Sequence, residues 1–129
     1  MLSLVVVAQQ QKKGTLLNDK FKGNISVGGD DAATTSLTLQ HEPYADMGTF
    51  TLTEFYRATQ FEKATTNVTT GEWTVLKGSA KDENATVVEL DANHKRMLYF
   101  LRLKDGNLQQ LDVSLHEIPP ASKHILRKQ

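Results

Sequence analysis

The chain has 129 residues, 15 basic and 15 acidic side chains, a net charge of +0 and an ordinary globular balance of 39% hydrophobic and 23% charged residues, which fits one domain. This neutrality removes the clustered positive charge that a nucleic-acid binder needs for phosphate contacts, because the basic residues near the C-terminus amount only to Lys123, Arg127 and Lys128. The absence of cysteine excludes a disulfide framework, a thiolate nucleophile, a Cys-ligated zinc and a CxxC redox pair.

The first eight residues, MLSLVVVA, form an apolar run too short to span a bilayer. They read either as the tail of a signal peptide, cleaved after the small residue Ala8, or as a first strand from Leu2 to Ala8. Residues 1–13 are accordingly a signal remnant or an N-terminal tail, and residues 14–129 form a single domain. From there on the pattern is period two with turn punctuation, which predicts strands. They run over Phe21–Val27, Ser36–His41, Gly48–Arg57, Asn67–Lys77, Thr86–Asp91, Met97–Lys104, Leu108–Val113 and Ser122–Arg127. Thr, which suits the wet face of a half-buried strand, recurs through them. Asp105-Gly106 predicts a tight hairpin, since glycine accepts positive φ, and Ile118-Pro119-Pro120 blocks ladder bonding before the last strand. Ala58–Thr66 is the one helical candidate, weakened by its threonines.

Eight short strands joined in sequence predict an all-β, antiparallel up-and-down meander, closed or partly open, as a lipocalin-like eight-stranded barrel. Closure removes exposed sheet edges, and a barrel of this size is either filled by side chains or holds one small ligand. Alternation assigns the faces. Phe50, Leu52, Glu54 and Tyr56 share one side of the third strand, opposite Thr49, Thr51, Thr53 and Phe55. Trp73 and Val75 oppose Glu72 and Thr74 in the fourth. The sixth is apolar on both faces, as expected of a central strand with one side covered.

The order and spacing of Gly48-Thr49-Phe50-Thr51-Leu52-Thr53-Glu54-Phe55-Tyr56, Gly71-Glu72-Trp73-Thr74-Val75, Leu98-Tyr99-Phe100-Leu101-Arg102-Leu103, Gly106-Asn107-Leu108, Gln110-Leu111-Asp112 and Glu117-Ile118 carry a family resemblance. From about Phe21 to its end, the chain resembles the N-terminal domain of the NlpE family of copper-resistance lipoproteins. The resemblance implies a lipocalin-like barrel on an outer-membrane lipoprotein, linked to copper handling and to signalling envelope stress to a sensor kinase. It also implies a CxxC in the turn before the strand Thr35-Ser36-Leu37-Thr38-Leu39. Here those two positions are Val27 and Asp30, so thiolate copper binding does not carry over. The lipid-bearing cysteine of the family is absent from the given chain, so membrane attachment would need an anchor outside it.

The residues on the expected barrel interior with binding chemistry are Glu54, Tyr56, Trp73, Phe100 and Arg102. A carboxylate at Glu54 on an apolar face must be paired or protonated, with Arg102 or Lys104 as its expected cation; ligand recognition and an exterior position are the alternatives. His41, His94, His116 and His124 show neither HxH nor HxxxH spacing and read as solvated loop residues, so no metal or cofactor is implied. Asp30-Asp31 after Gly28-Gly29 reads as a turn rather than a calcium loop. No nucleophile elbow, phosphate loop or HExxH occurs, so no catalytic residue is named. The expectation is a non-catalytic envelope domain, periplasmic or anchored to the outer membrane, with an envelope protein as partner. The alternative is a carrier of a small apolar ligand.

Overall fold

A computed structural model describes residues 16–26 and 33–129; Val27, Asp30, Asp31 and the Leu2–Ala8 run lie outside them. Eight antiparallel strands follow one another around a closed barrel: β1 (Leu17–Ile25), β2 (Ala33–His41), β3 (Met47–Tyr56), β4 (Thr65–Lys77), β5 (Thr86–Asp91), β6 (Met97–Arg102), β7 (Leu108–Leu111) and β8 (Ile125–Lys128). Closure comes from β8 pairing back to β1, with Phe21 opposite Lys128 and Lys22 opposite Arg127. The up-and-down meander expected from the sequence is the fold.

Alternation builds the core. Leu37 and Leu52 face each other across β2 and β3, as do Leu39 and Phe50. Leu90 pairs with Leu98, and Val88 with Phe100, across β5 and β6. With Phe21, Ile25, Trp73, Leu108 and Leu126 these side chains form one buried cluster along the barrel axis. The outward threonines of β3 stay at the surface, as the face assignment requires. Gly48 and Gly71 sit at inward positions where strands crowd together. A Cβ at Gly71 would strike the Asp91 carbonyl and the Phe50 ring; one at Gly48 would strike the Gln40 carbonyl. Only glycine leaves room for these close approaches.

Several boundaries differ from the sequence reading. Ala58–Thr66 is not helical: it is an irregular connection that runs into β4 at Thr65. The one helix among the described residues is a 3-10 turn, Ala121–Lys123, where the last strand was expected to begin. Leu103 and Lys104 belong to the β6–β7 turn, which Gly106 closes at φ 89°. Outside the barrel, Val87 and Leu111 are buried too. The segment after β7 folds back over them, bridging Leu111 to Glu117 and accepting a hydrogen bond from the Ala80 amide at the Leu115 carbonyl, 3.1 Å. That cover accounts for the second apolar face of β6.

Candidate functional site

The strands alternate in direction, so the barrel has two distinct ends. One carries the β3–β4 and β5–β6 connections, the other the β2–β3, β4–β5 and β6–β7 connections. The first end is where polar chemistry enters the interior.

Glu54 lies near the end of the inward stripe of β3 and is only 3% exposed. Its two oxygens are served differently. The Tyr56 hydroxyl, two residues along the same face, donates to Oε2 at 3.0 Å. The Arg96 guanidinium, from the β5–β6 turn, stands 3.8 Å from Oε1. Arg96 is itself 40% exposed, so the pair joins a buried anion to a half-solvated cation. Across the strands, Glu54 is opposite Thr35 on β2 and Asn67 on β4. Thr35 is fully buried and turns its hydroxyl back to the Ala33 carbonyl at 3.0 Å.

This arrangement places Glu54 in the interior, as the alternation required, and corrects its partner. Arg102 lies on the inward parity of β6 but is exposed, opposite Leu108 beside the β6–β7 turn. It stands at the other end of the barrel from Glu54, and Lys104 lies in that same distant turn. Neither can serve the carboxylate. Tyr56 does join Glu54, at the half-buried rim.

Trp73 and Phe100 are core residues. Phe100 is fully buried in mid-barrel. Trp73, at the far end from Glu54, donates its indole N–H to the Gln40 carbonyl at 3.1 Å and packs edge-on against His41, ring centroids 5.7 Å apart. His41 meets Asp19 at 2.8 Å and is largely buried, so it is not the solvated loop histidine expected from the sequence. His94 is exposed and pairs with Asp91 at 2.9 Å, and the His124 ring nitrogen Nδ1 lies 3.1 Å from the Gln110 side-chain oxygen. Among the described residues no three His, Cys, Asp or Glu side chains converge to hold a metal.

Beside Glu54 the barrel wall is incomplete. Residues Thr65–Thr74 of β4 pair with β3, but only Glu72–Lys77 pair with β5. A groove of about 570 Å³ runs between the unpaired part of β4 and the β5–β6 turn, lined by Thr66 to Thr70, Asn93, Lys95, Arg96 and Glu54. On the outer side of the same region Phe55, Phe61 and Val68 are exposed by 40%, 86% and 62%. The sequence reading missed Arg96 and this edge. The signals were the β-branched run Thr65-Thr66-Asn67-Val68-Thr69-Thr70 and the basic pair Lys95-Arg96 in the turn that must lie at the Glu54 end.

Chemically the end of the barrel offers one buried anion, a phenol, a guanidinium and a run of unpaired main chain. Unpaired main chain of this kind can accept main-chain hydrogen bonds from a further strand. No protein-family model matches the chain, and neither a curated protein nor a solved structure matches it significantly.

Proposed function

We propose that this chain is a non-catalytic domain of the cell envelope that acts by protein contact, in the manner of the NlpE-like stress-signalling lipoproteins it resembles. The observation that carries this reading is the contrast between inside and outside. Leu37, Leu39, Leu52, Leu90 and Phe100 are each 2% exposed or less and occupy the barrel axis. Phe55, Phe61 and Val68, by contrast, lie open on one side next to unpaired backbone. A carrier needs its apolar surface around an interior cavity, whereas a contact domain needs it outside. The envelope address, periplasmic or through a lipid anchor to the outer membrane, rests on the resemblance of the β3, β4 and β6 motifs. Copper handling through the family cysteines is not part of the proposal, since the chain has none.

Two measurements test it. Titration with a naturally fluorescent fatty acid should give no saturable binding; saturable one-to-one binding would favour the carrier. A photo-crosslinking residue in place of Phe61, in living cells, should give an adduct with an envelope-resident protein. Adducts confined to cytosolic proteins would overturn the address.

A further inference from the structure

β4 extends beyond the strand beside it. Residues 65–71 have β3 on one side and, among the described residues, no strand on the other. The register fixes which main-chain groups are left open. The Gly78 amide donates to the Ala85 carbonyl at 2.6 Å, one step beyond the pairing of Lys77 with Thr86. Antiparallel ladders alternate, so the even-numbered residues of β4 direct N–H and C=O toward β5 and the odd-numbered ones toward β3. The register with β3 is unbroken, so Thr66, Val68 and Thr70 present their main chain at the open edge. Proteins ordinarily blunt such an edge with lysine, proline, a bulge or an inward charge. Thr65-Thr66-Asn67-Val68-Thr69-Thr70 contains no charge and no proline.

We propose that this edge takes an extended acidic segment of another protein as an added strand, with Lys95 and Arg96 answering its carboxylates. The proposal rests on the protein-contact reading and names the chemistry of the partner. Charge complementarity selects it. Glu54, Lys95 and Arg96 are the charged residues lining the groove beside the edge, one anion against two cations. Glu54 is buried and already stands 3.8 Å from Arg96. Lys95 is exposed and makes no ion pair among the described residues, so it is the cation left for an incoming carboxylate. The neighbouring Asp91 is taken by His94 at 2.9 Å. The turn that carries both cations is tied: the Ala92 amide donates to the Arg96 carbonyl at 2.9 Å and the Lys95 amide to the Ala92 carbonyl at 3.1 Å. A strand added opposite residues 66–70 sends its side chains alternately to two faces. Those opposite Asn67 and Thr69 take the inner parity of Trp73, on the groove side with the two cations, and favour a carboxylate. The one opposite Val68 takes the outer face, where Val68 and Phe55 are exposed by 62% and 40%, and favours an apolar residue. The partner is thus a strand that alternates acidic with apolar residues. A basic segment would set like charge against Lys95 and Arg96.

The probe is a short fluorescent peptide that alternates valine with glutamate, followed by anisotropy against the full chain. It should bind saturably, and its valine–lysine counterpart should not. Lys95→Ala should weaken binding by about two- to fivefold, the range of an exposed charge pair, and added salt should weaken it further. Val68→Pro removes one edge donor and no bond to β3, as proline on an open edge allows. It should abolish binding while Trp73 fluorescence and cooperative unfolding are retained. N-methylation reads the same bonds with the protein unaltered: on one alternate set of peptide amides it should abolish binding, and on the other set it should not. No saturable binding, or equal binding of the lysine peptide, would overturn the proposal. Binding that survives Val68→Pro and N-methylation of either set would overturn the added strand. Self-association of the unaltered chain in sedimentation, abolished by Val68→Pro, would give the edge to a second copy instead. None of these outcomes bears on contact through the outer face, which the Phe61 crosslink reads separately.

Discussion

Removing Arg96 isolates what holds a carboxylate inside this barrel. Glu54 is 95% buried at its side chain, Arg96 is 40% exposed, and the closest nitrogen and oxygen are 3.8 Å apart. At that separation the gross attraction is about 4 kcal/mol in a medium of intermediate dielectric. Breaking a fully buried pair costs about 3–5 kcal/mol, and breaking a surface pair about 0–1. One buried and one half-solvated partner fall between these limits, so Arg96→Ala should cost about 1–2 kcal/mol. Glu54→Gln should cost less, about 0–1 kcal/mol, because an amide oxygen can still accept from the Tyr56 hydroxyl. In the Glu54→Gln background there is no stranded charge, so Arg96→Ala should then be nearly silent. The coupling energy of the cycle should therefore be about 1–2 kcal/mol.

The assay is urea unfolding of the four proteins, followed by the fluorescence of Trp73. It is the single tryptophan of the chain and is buried at 3% exposure, so its emission reports the collapse of the core. The four transitions should share one slope, which keeps the comparison two-state. A coupling energy indistinguishable from zero would refute the reasoning. It would mean that the 3.8 Å pair is solvent-separated in its effect and that Tyr56 alone holds the carboxylate.

Three further outcomes follow from packing and charge. Phe100→Ala, at a fully buried position, should destabilise the barrel by about 3–5 kcal/mol in the same urea assay. Gly71→Ala should lower the urea midpoint more than an exposed substitution such as Thr51→Ala, because its Cβ meets main chain that cannot move aside; equal midpoints would show that the wall relaxes there. Tyr99 has its phenol held above the ordinary 10.0, first by desolvation and then by the facing Glu89 carboxylate, which also accepts a hydrogen bond from the phenol. Folding therefore favours the protonated phenol: its contribution is complete below the unfolded value and is lost as pH rises from about 10 through the folded value. Tyr99→Phe should flatten that alkaline loss of stability, and an unchanged slope in urea midpoints above about pH 10 would count against it.

The strands were legible because the core is built by strict alternation. Phe50, Leu52 and Glu54 on β3, Trp73 on β4, and Leu98 and Phe100 on β6 all point where period two sends them. What the pattern could not supply was pairing without burial. The first four residues of β1, Leu17 to Lys20, are largely exposed and are strand because each lies opposite a residue of β2, from His41 back to Thr38. Thr65 and Thr66 begin β4 for the same reason, by pairing with Tyr56 and Phe55 rather than by burying anything. A window read for hydrophobic period sees such segments as coil or weak helix.

The partner of Glu54 was a different kind of omission, because strand direction alone decides it. In a meander of alternating strands, the end of β3 and the end of β6 lie at opposite ends of the barrel, while the β5–β6 turn lies at the Glu54 end. Arg102 was thus excluded by topology and Arg96 admitted by it, before any side chain is placed. The same counting exposes the unpaired edge. The expected strand Asn67–Lys77 was already longer than Thr86–Asp91, its only neighbour on that side, and an antiparallel hairpin that starts flush at Lys77 and Thr86 must leave the far end of the longer strand without a mate. Strand length is thus a structural signal in its own right here. It places free main chain, an exposed valine and a buried carboxylate within one end of the barrel, although no residue in that run is unusual for a strand.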